Sequence, residues 1–137
     1  MSDTNNTQDK LNWNNINQLH DAISNFSKQS FDIKKLWITI EVSIVTLLLT
    51  MKVSEKTILF AIGAVLLFFY FLDSMTYYYQ DKLRKHMTDE QNEIRKRNHL
   101  KEMEFRGKGR VFRSLFNWSH LLYYVVLLFV IVLYFIC

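Results

Sequence analysis

The chain has 137 residues, half of them hydrophobic and 15% aromatic, with a formal net charge of +4 at pH 7. That length fits one domain, and a single cysteine, Cys137, excludes an internal disulfide framework or a cysteine-based metal cluster. The residue classes fall in blocks (polar over 1–35, apolar over 36–80, charged over 81–113, apolar over 114–137) instead of interleaving as in a soluble domain, which points to a membrane protein.

With no proline and three glycines, Gly63, Gly107 and Gly109, the chain favours long unbroken helices. An open sheet cannot sit in lipid because its edge groups would be unpaired. The expected fold is therefore all-α, an integral membrane protein with three transmembrane helices.

In chain order, residues 1–13 read as a flexible polar tail with no signal peptide, expected to stay in the cytoplasm. Residues 14–32 predict a cytoplasmic amphipathic helix. Its narrow stripe of Trp13, Ile16, Leu19, Ile23, Phe26 and Ser30 recurs at steps of three and four. This helix either lies on the membrane, packs on the later charged loop, or runs straight into the first span.

Residues 33–80 predict a transmembrane helical hairpin. Its first span, 33–51, contains Glu41, and a short turn at 52–56 leads to the second, 57–79. Asp73 lies near the end of that second span, and Tyr77, Tyr78 and Tyr79 form an interfacial aromatic belt. Residues 81–113 form a basic loop, its part up to Phe105 expected as a helix continuing the second span with Asp81–Lys85 and Glu93–Arg97 pairs. Leu83, Met87 and Ile94 are too sparse there to announce a coiled coil.

Around the glycines, Arg106, Lys108, Arg110 and Arg113 mix with Phe105, Phe112 and Phe116, a mixture suited to the surface of an anionic inner leaflet. The third span, 114–137, contains no Asp, Glu, Lys or Arg. Most basic residues lie between the second and third spans, which places 81–113 and the N-terminus in the cytoplasm and the C-terminus outside. The loop also carries six acids beside eleven bases, so membrane lipids explain its charge and no nucleic acid is expected.

Glu41 is the sharpest functional signal, because an ionisable group in mid-span costs at least ~2.5 kcal/mol. On nearly the opposite face, Thr39, Ser43, Thr46 and Thr50 make a hydroxyl stripe suited to close helix packing. Two readings fit. Glu41 and the stripe line an oligomeric pore or homo-oligomer interface, or Glu41 is a structural group bonded to a neighbouring hydroxyl. Asp73 joins the same candidate set, about 9 Å nearer the cytoplasm than Glu41 and so not its direct partner. Tyr70 and Tyr77 share its face and offer hydroxyls to satisfy it.

His20, His86, His99 and His120 lack metal-ligand spacing, and no phosphate loop or nucleophile motif is found. No enzymatic activity and no cofactor is expected.

The segments 31–36 (FDIKKL) and 71–80 (FLDSMTYYYQ) resemble the two sides of the hairpin in small two-transmembrane effector proteins of bacterial anti-phage defence systems. The resemblance is one of layout and covers about residues 14–105; the third span departs from it. It implies a protein that assembles in the inner membrane and disrupts it when a cytoplasmic sensor or activator protein fires. A scaffold or regulatory subunit of a larger membrane complex, or a small oligomeric channel, fits the same sequence.

Overall fold

The computed structural model describes residues 2–105 and 114–136. Among them the chain is helical, without strands: α1 (Ser2–Thr50), α2 (Glu55–Arg97), a 3-10 turn (Trp118–His120) and α3 (Leu121–Ile136). The polar segment expected as a flexible tail is part of α1 from Ser2 onward. No break separates the expected amphipathic helix from the apolar segment that follows it. Nothing in 2–50 stops a helix, since proline is absent and glycine does not occur.

The C-terminal ends of α1 and α2 are both closed without glycine. At the end of α1, Val53 N donates to Leu48 O and Lys52 N to Leu49 O, with Lys52 at φ 54. That is a Schellman closure with a lysine where glycine is favoured. Ser54 then caps α2, its hydroxyl accepting from Thr57 N. The end of α2 repeats the device: Leu100 N donates to Arg95 O and His99 N to Lys96 O, with His99 at φ 55. The helix expected up to Phe105 therefore stops at Arg97. Residues 100–105 run irregularly back along α2, tied by Asn92, which donates to Met103 O and accepts from Met103 N.

α1 and α2 pack antiparallel along their whole length. On α1 the inward positions are Asn12, Ile16, Leu19, Ile23, Phe26, Ser30, Ile33, Trp37, Ile40 and Ile44. On α2 they are Leu59, Ile62, Leu66, Phe69, Asp73, Thr76, Gln80, Leu83 and Met87; all are buried or half-buried. Each set alternates steps of three and four, the 3.5-residue period of a left-handed coiled coil. Leu83 and Met87, sparse in sequence, thus belong to a seam whose other members are partly polar. The first stripe also shifts by one residue: Asn12 is buried, while Trp13 is 53% exposed.

The main apolar cluster joins all three helices. Trp37 of α1, Leu66 and Phe69 of α2 and Tyr123 of α3 are buried together, with Ile33, Ile40, Val65 and Val126 against them. The Trp37 and Tyr123 ring centroids lie 4.9 Å apart with the planes tilted by 39°, the kind of aromatic pair that adds to simple area burial.

Among the described residues two stretches are long and apolar enough to cross a membrane, α2 and 118–136. Only 28% and 11% of their most apolar stretches are buried inside the protomer. Apolar surface of that extent suits lipid and not water. α2, about 65 Å long at 1.5 Å per residue, is roughly twice a hydrocarbon layer of about 30 Å, so only its apolar half is of a length to fit within one. The apolar half of α1 is not a third such stretch. Lys34, Lys35 and Glu41 interrupt it, and 36–50 spans only about 22 Å.

Candidate functional site

Asp73 lies on the seam of α2, and its side chain is 0% exposed. A carboxylate there must be paired or hydrogen-bonded, and both α1 and the 3-10 turn supply partners. From α1, Ser30 donates its hydroxyl to Asp73 Oδ1, and Lys34 Nζ stands 2.7 Å from Oδ2. From the 3-10 turn before α3, His120 Nε2 lies 3.4 Å from Oδ2. Ser30 and Lys34 stand one helical turn apart, so both reach the same carboxylate.

The Lys34 ammonium has three donors and three oxygens around it: Asp73 Oδ2, Ser30 Oγ at 2.9 Å and Ser119 Oγ at 3.0 Å. It also stands 6.0 Å from the centroid of the Tyr123 ring. His120, likewise 0% exposed, is walled by the rings of Tyr70, Tyr77 and Tyr123 at 5.3, 6.3 and 6.0 Å. Its Nδ1 is 3.2 Å from Leu115 O. That carbonyl also accepts the hydroxyls of Tyr70, at 3.0 Å, and Tyr124. Asn117 fixes the turn by accepting from Ser119 N. The result is one polar knot joining α1, α2 and the start of α3.

Neither imidazole nitrogen faces a hydroxyl: Nε2 faces Asp73 and Nδ1 a carbonyl. Ser119 is bonded by Lys34 instead. The side chains therefore do not form a Ser-His-Asp relay, despite their composition. What the arrangement does is hold helices together. Breaking such a buried pair by removing one partner typically costs 3–5 kcal/mol.

The residues singled out from sequence are distributed differently from expectation. Asp73, taken with the pore or oligomer-interface set, points into the bundle and reaches no outer surface. Tyr70 and Tyr77 do not satisfy it with their hydroxyls; Tyr70 donates to Leu115 O, and the Tyr77 ring packs on His120. Glu41 is half-buried, its Oε2 accepting from Trp37 Nε1 at 2.7 Å, so an indole and not a hydroxyl is its partner.

Thr39, Ser43, Thr46 and Thr50 are all exposed. Each donates to the carbonyl four residues back, to Lys35, Thr39, Val42 and Thr46 respectively, at 2.8–3.0 Å. The stripe makes no interhelical bond within the protomer. Arg106, Lys108, Arg110 and Arg113, expected at the membrane surface, lie outside the described residues.

Sequence reasoning did not single out Ser30, Lys34, Ser119 or His120. A signal for Lys34 was present: the count placing Asp73 about six residues from the depth of Glu41 puts it level with Lys34 and Lys35. Nothing comparable marks His120, whose approach depends on the path of the chain between α2 and α3.

On the cytoplasmic half expected from sequence, Arg97 Nε meets Asp9 Oδ1 at 2.9 Å, and Glu93 faces Lys96 at 3.7 Å instead of Arg97. Asp81 is buried with Oδ2 unpaired, away from Lys85. Among the described residues no group of three or more His, Cys, Asp or Glu could hold a metal ion.

No family model matches the chain, and no curated protein or solved structure matches it either.

Proposed function

We propose that the chain is a three-span protein of a bacterial inner membrane, cytoplasmic at its N-terminus, that self-associates and acts without catalysis as a membrane-perturbing effector of anti-phage defence. The observation that carries this reading is the outer face of α1. There Thr39, Ser43, Thr46 and Thr50 share an exposed surface with Leu36, Ile38, Val42, Leu47 and Leu49. Hydroxyls already bonded to their own backbone can lie in lipid at little cost, yet their free lone pairs and small size suit a second helix.

The third span follows from pairing. The apolar half of α1 runs beside α2 at the same depth, so a bilayer around α2 also surrounds α1. At its cytoplasmic end the exposed Lys35 suits the headgroup level, its Nζ lying 4.4 Å over the Phe31 ring. Orientation rests on the basic residues of 81–113, and the effector role rests on the layout resemblance.

The test is induction in a bacterial host with membrane potential followed by dye, alone and with a cytoplasmic activator. Wild type depolarises the cells, and Glu41→Ala does not. Mass in mild detergent gives more than one copy. A monomer that leaves potential and growth unchanged under every trigger overturns the reading. It would favour a scaffold whose hydroxyl face docks on a larger complex.

A further inference from the structure

At the end nearest the α1–α2 turn, α2 and α3 leave an open groove of about 350 Å³ between them, a volume within the range of roughly 300–1,000 Å³ typical of ligand sites. Its inner side is lined by the buried Leu59 and Val130 and by Gly63. A Cβ at Gly63 would meet no atom within 4 Å. No contact inside the protomer therefore requires glycine here, and its bare backbone deepens the groove. Phe60 and Leu67 of α2 and Ile131 and Phe135 of α3, all exposed, form the rims.

The groove has a length and a charged end. Lys56, Phe60, Gly63 and Leu67 recur at steps of four, three and four and so share one face of α2. From Lys56 to Leu67 that face runs about 16 Å at 1.5 Å per residue, close to half of a hydrocarbon layer of about 30 Å. At its end Lys56 Nζ lies 5.9 Å from the centroid of the Tyr134 ring, which itself lines the groove. The ammonium thus stands across the mouth between the two helices. Among the described residues it makes no ion pair. The other charged side chains of the turn, Lys52 and Glu55, are exposed and offset each other, which leaves one net positive charge.

We propose that this groove binds an anionic phospholipid, with one acyl chain lying along Gly63 and the headgroup phosphate held by Lys56. The apolar slot is one leaflet deep, and the cation stands where a headgroup would be. The positive end of the α2 dipole adds to the same attraction. Charge favours a lipid over a second copy of the chain. At this depth another protomer offers one acidic side chain, Glu55, set between Lys52 and Lys56, and its α3 offers none. The bound chain supplies packing that α3 lacks, since only Tyr123 and Val130 of that helix are buried. The inference rests on the membrane placement proposed above and not on the effector role.

The experiment titrates the full chain in mild detergent with dioleoyl phosphatidylglycerol or dioleoyl phosphatidylcholine and counts bound lipids by native mass spectrometry. The site is expected to hold phosphatidylglycerol about fivefold more tightly, the scale of one lysine at an anionic surface. Arg106, Lys108, Arg110 and Arg113 attract the same lipid, so the change between wild type and variants decides. Lys56→Gln should lose one bound phosphatidylglycerol, and Lys56→Arg should keep it. Gly63→Leu, whose side chain has open space to enter, should lose the same lipid while its circular dichroism stays helical.

Equal binding by wild type and Lys56→Gln overturns the headgroup contact, and retention by a folded Gly63→Leu overturns the groove as its place. If Gly63→Leu splits a multimer and leaves the bound lipid unchanged, a second copy is the occupant and the proposal fails. Should Gly63→Leu not fold, the two substitutions at the exposed Lys56 still decide. Cells that keep their membrane potential would sink the effector reading while leaving the lipid count as expected, so the two failures are distinguishable.

Discussion

On its inner face α1 presents Ser30, Lys34 and Glu41 to side chains of its own bundle; on its outer face it presents Thr39, Ser43, Thr46 and Thr50 to whatever surrounds the protomer. Ser30 and Lys34 find partners on other elements, Asp73 and Ser119, while Glu41 accepts from the Trp37 indole one turn back in α1. The outer ones find only carbonyls one turn back in the same helix. Both faces look polar in a helical projection, but their energetics differ. A group bonded across helices is lost with its partner and leaves a buried polar atom behind, whereas a self-bonded hydroxyl can be removed with almost no consequence for the fold.

The comparison breaks first at Asp73. Asp73→Ala strands the Lys34 ammonium and should lower stability by about 3–5 kcal/mol, read as the unfolding midpoint in mixed detergent. Lys34→Met combined with Asp73→Leu should recover much of that loss, because hydrophobic replacement of a whole buried pair is often neutral. If the double variant is as unstable as the two singles added, the pair is not the source.

Next in size is Tyr70→Phe, which removes one of the donors on Leu115 O and should cost about 1 kcal/mol by the same unfolding measurement. Glu41→Gln keeps an oxygen for the Trp37 indole and should change stability by less than about 1 kcal/mol. A much larger loss would mean that the charge of Glu41 matters to the bundle itself.

Smallest are the stripe substitutions Thr39→Val, Ser43→Ala, Thr46→Val and Thr50→Val, each expected within about 0.5 kcal/mol. Combined, they should leave the helical signal intact and lower the mass found in mild detergent. A folded variant with unchanged mass would show that the outer face is not the contact between copies.

Much of the architecture was legible because hydropathy comes in blocks. The helical hairpin and the apolar C-terminal helix follow from that pattern and from a chain without proline. The coiled-coil seam was not, since Asn12, Asp73 and Gln80 occupy positions that a search for apolar stripes passes over. Lys34 was misleading in a different way. Beside Lys35, at the edge of an apolar run, it carries no local mark of its use as the counter-charge of Asp73.

What the sequence determined by itself is therefore local: that 14–50 and most of α2 are helical, though not that 2–13 are or that α2 ends at Arg97, which stretches suit lipid, and that α1 carries two polar faces. Tertiary structure decided which face is inside. Ser30 and Asp73 are separated by 43 positions and Lys34 and Ser119 by 85, and no local pattern relates residues so far apart. Their meeting depends on the glycine-free turn at 51–54, on the register of a partly polar seam, and on the return of the chain to place His120 against Asp73. The polar knot forms because burial leaves each of its members no water to bond instead.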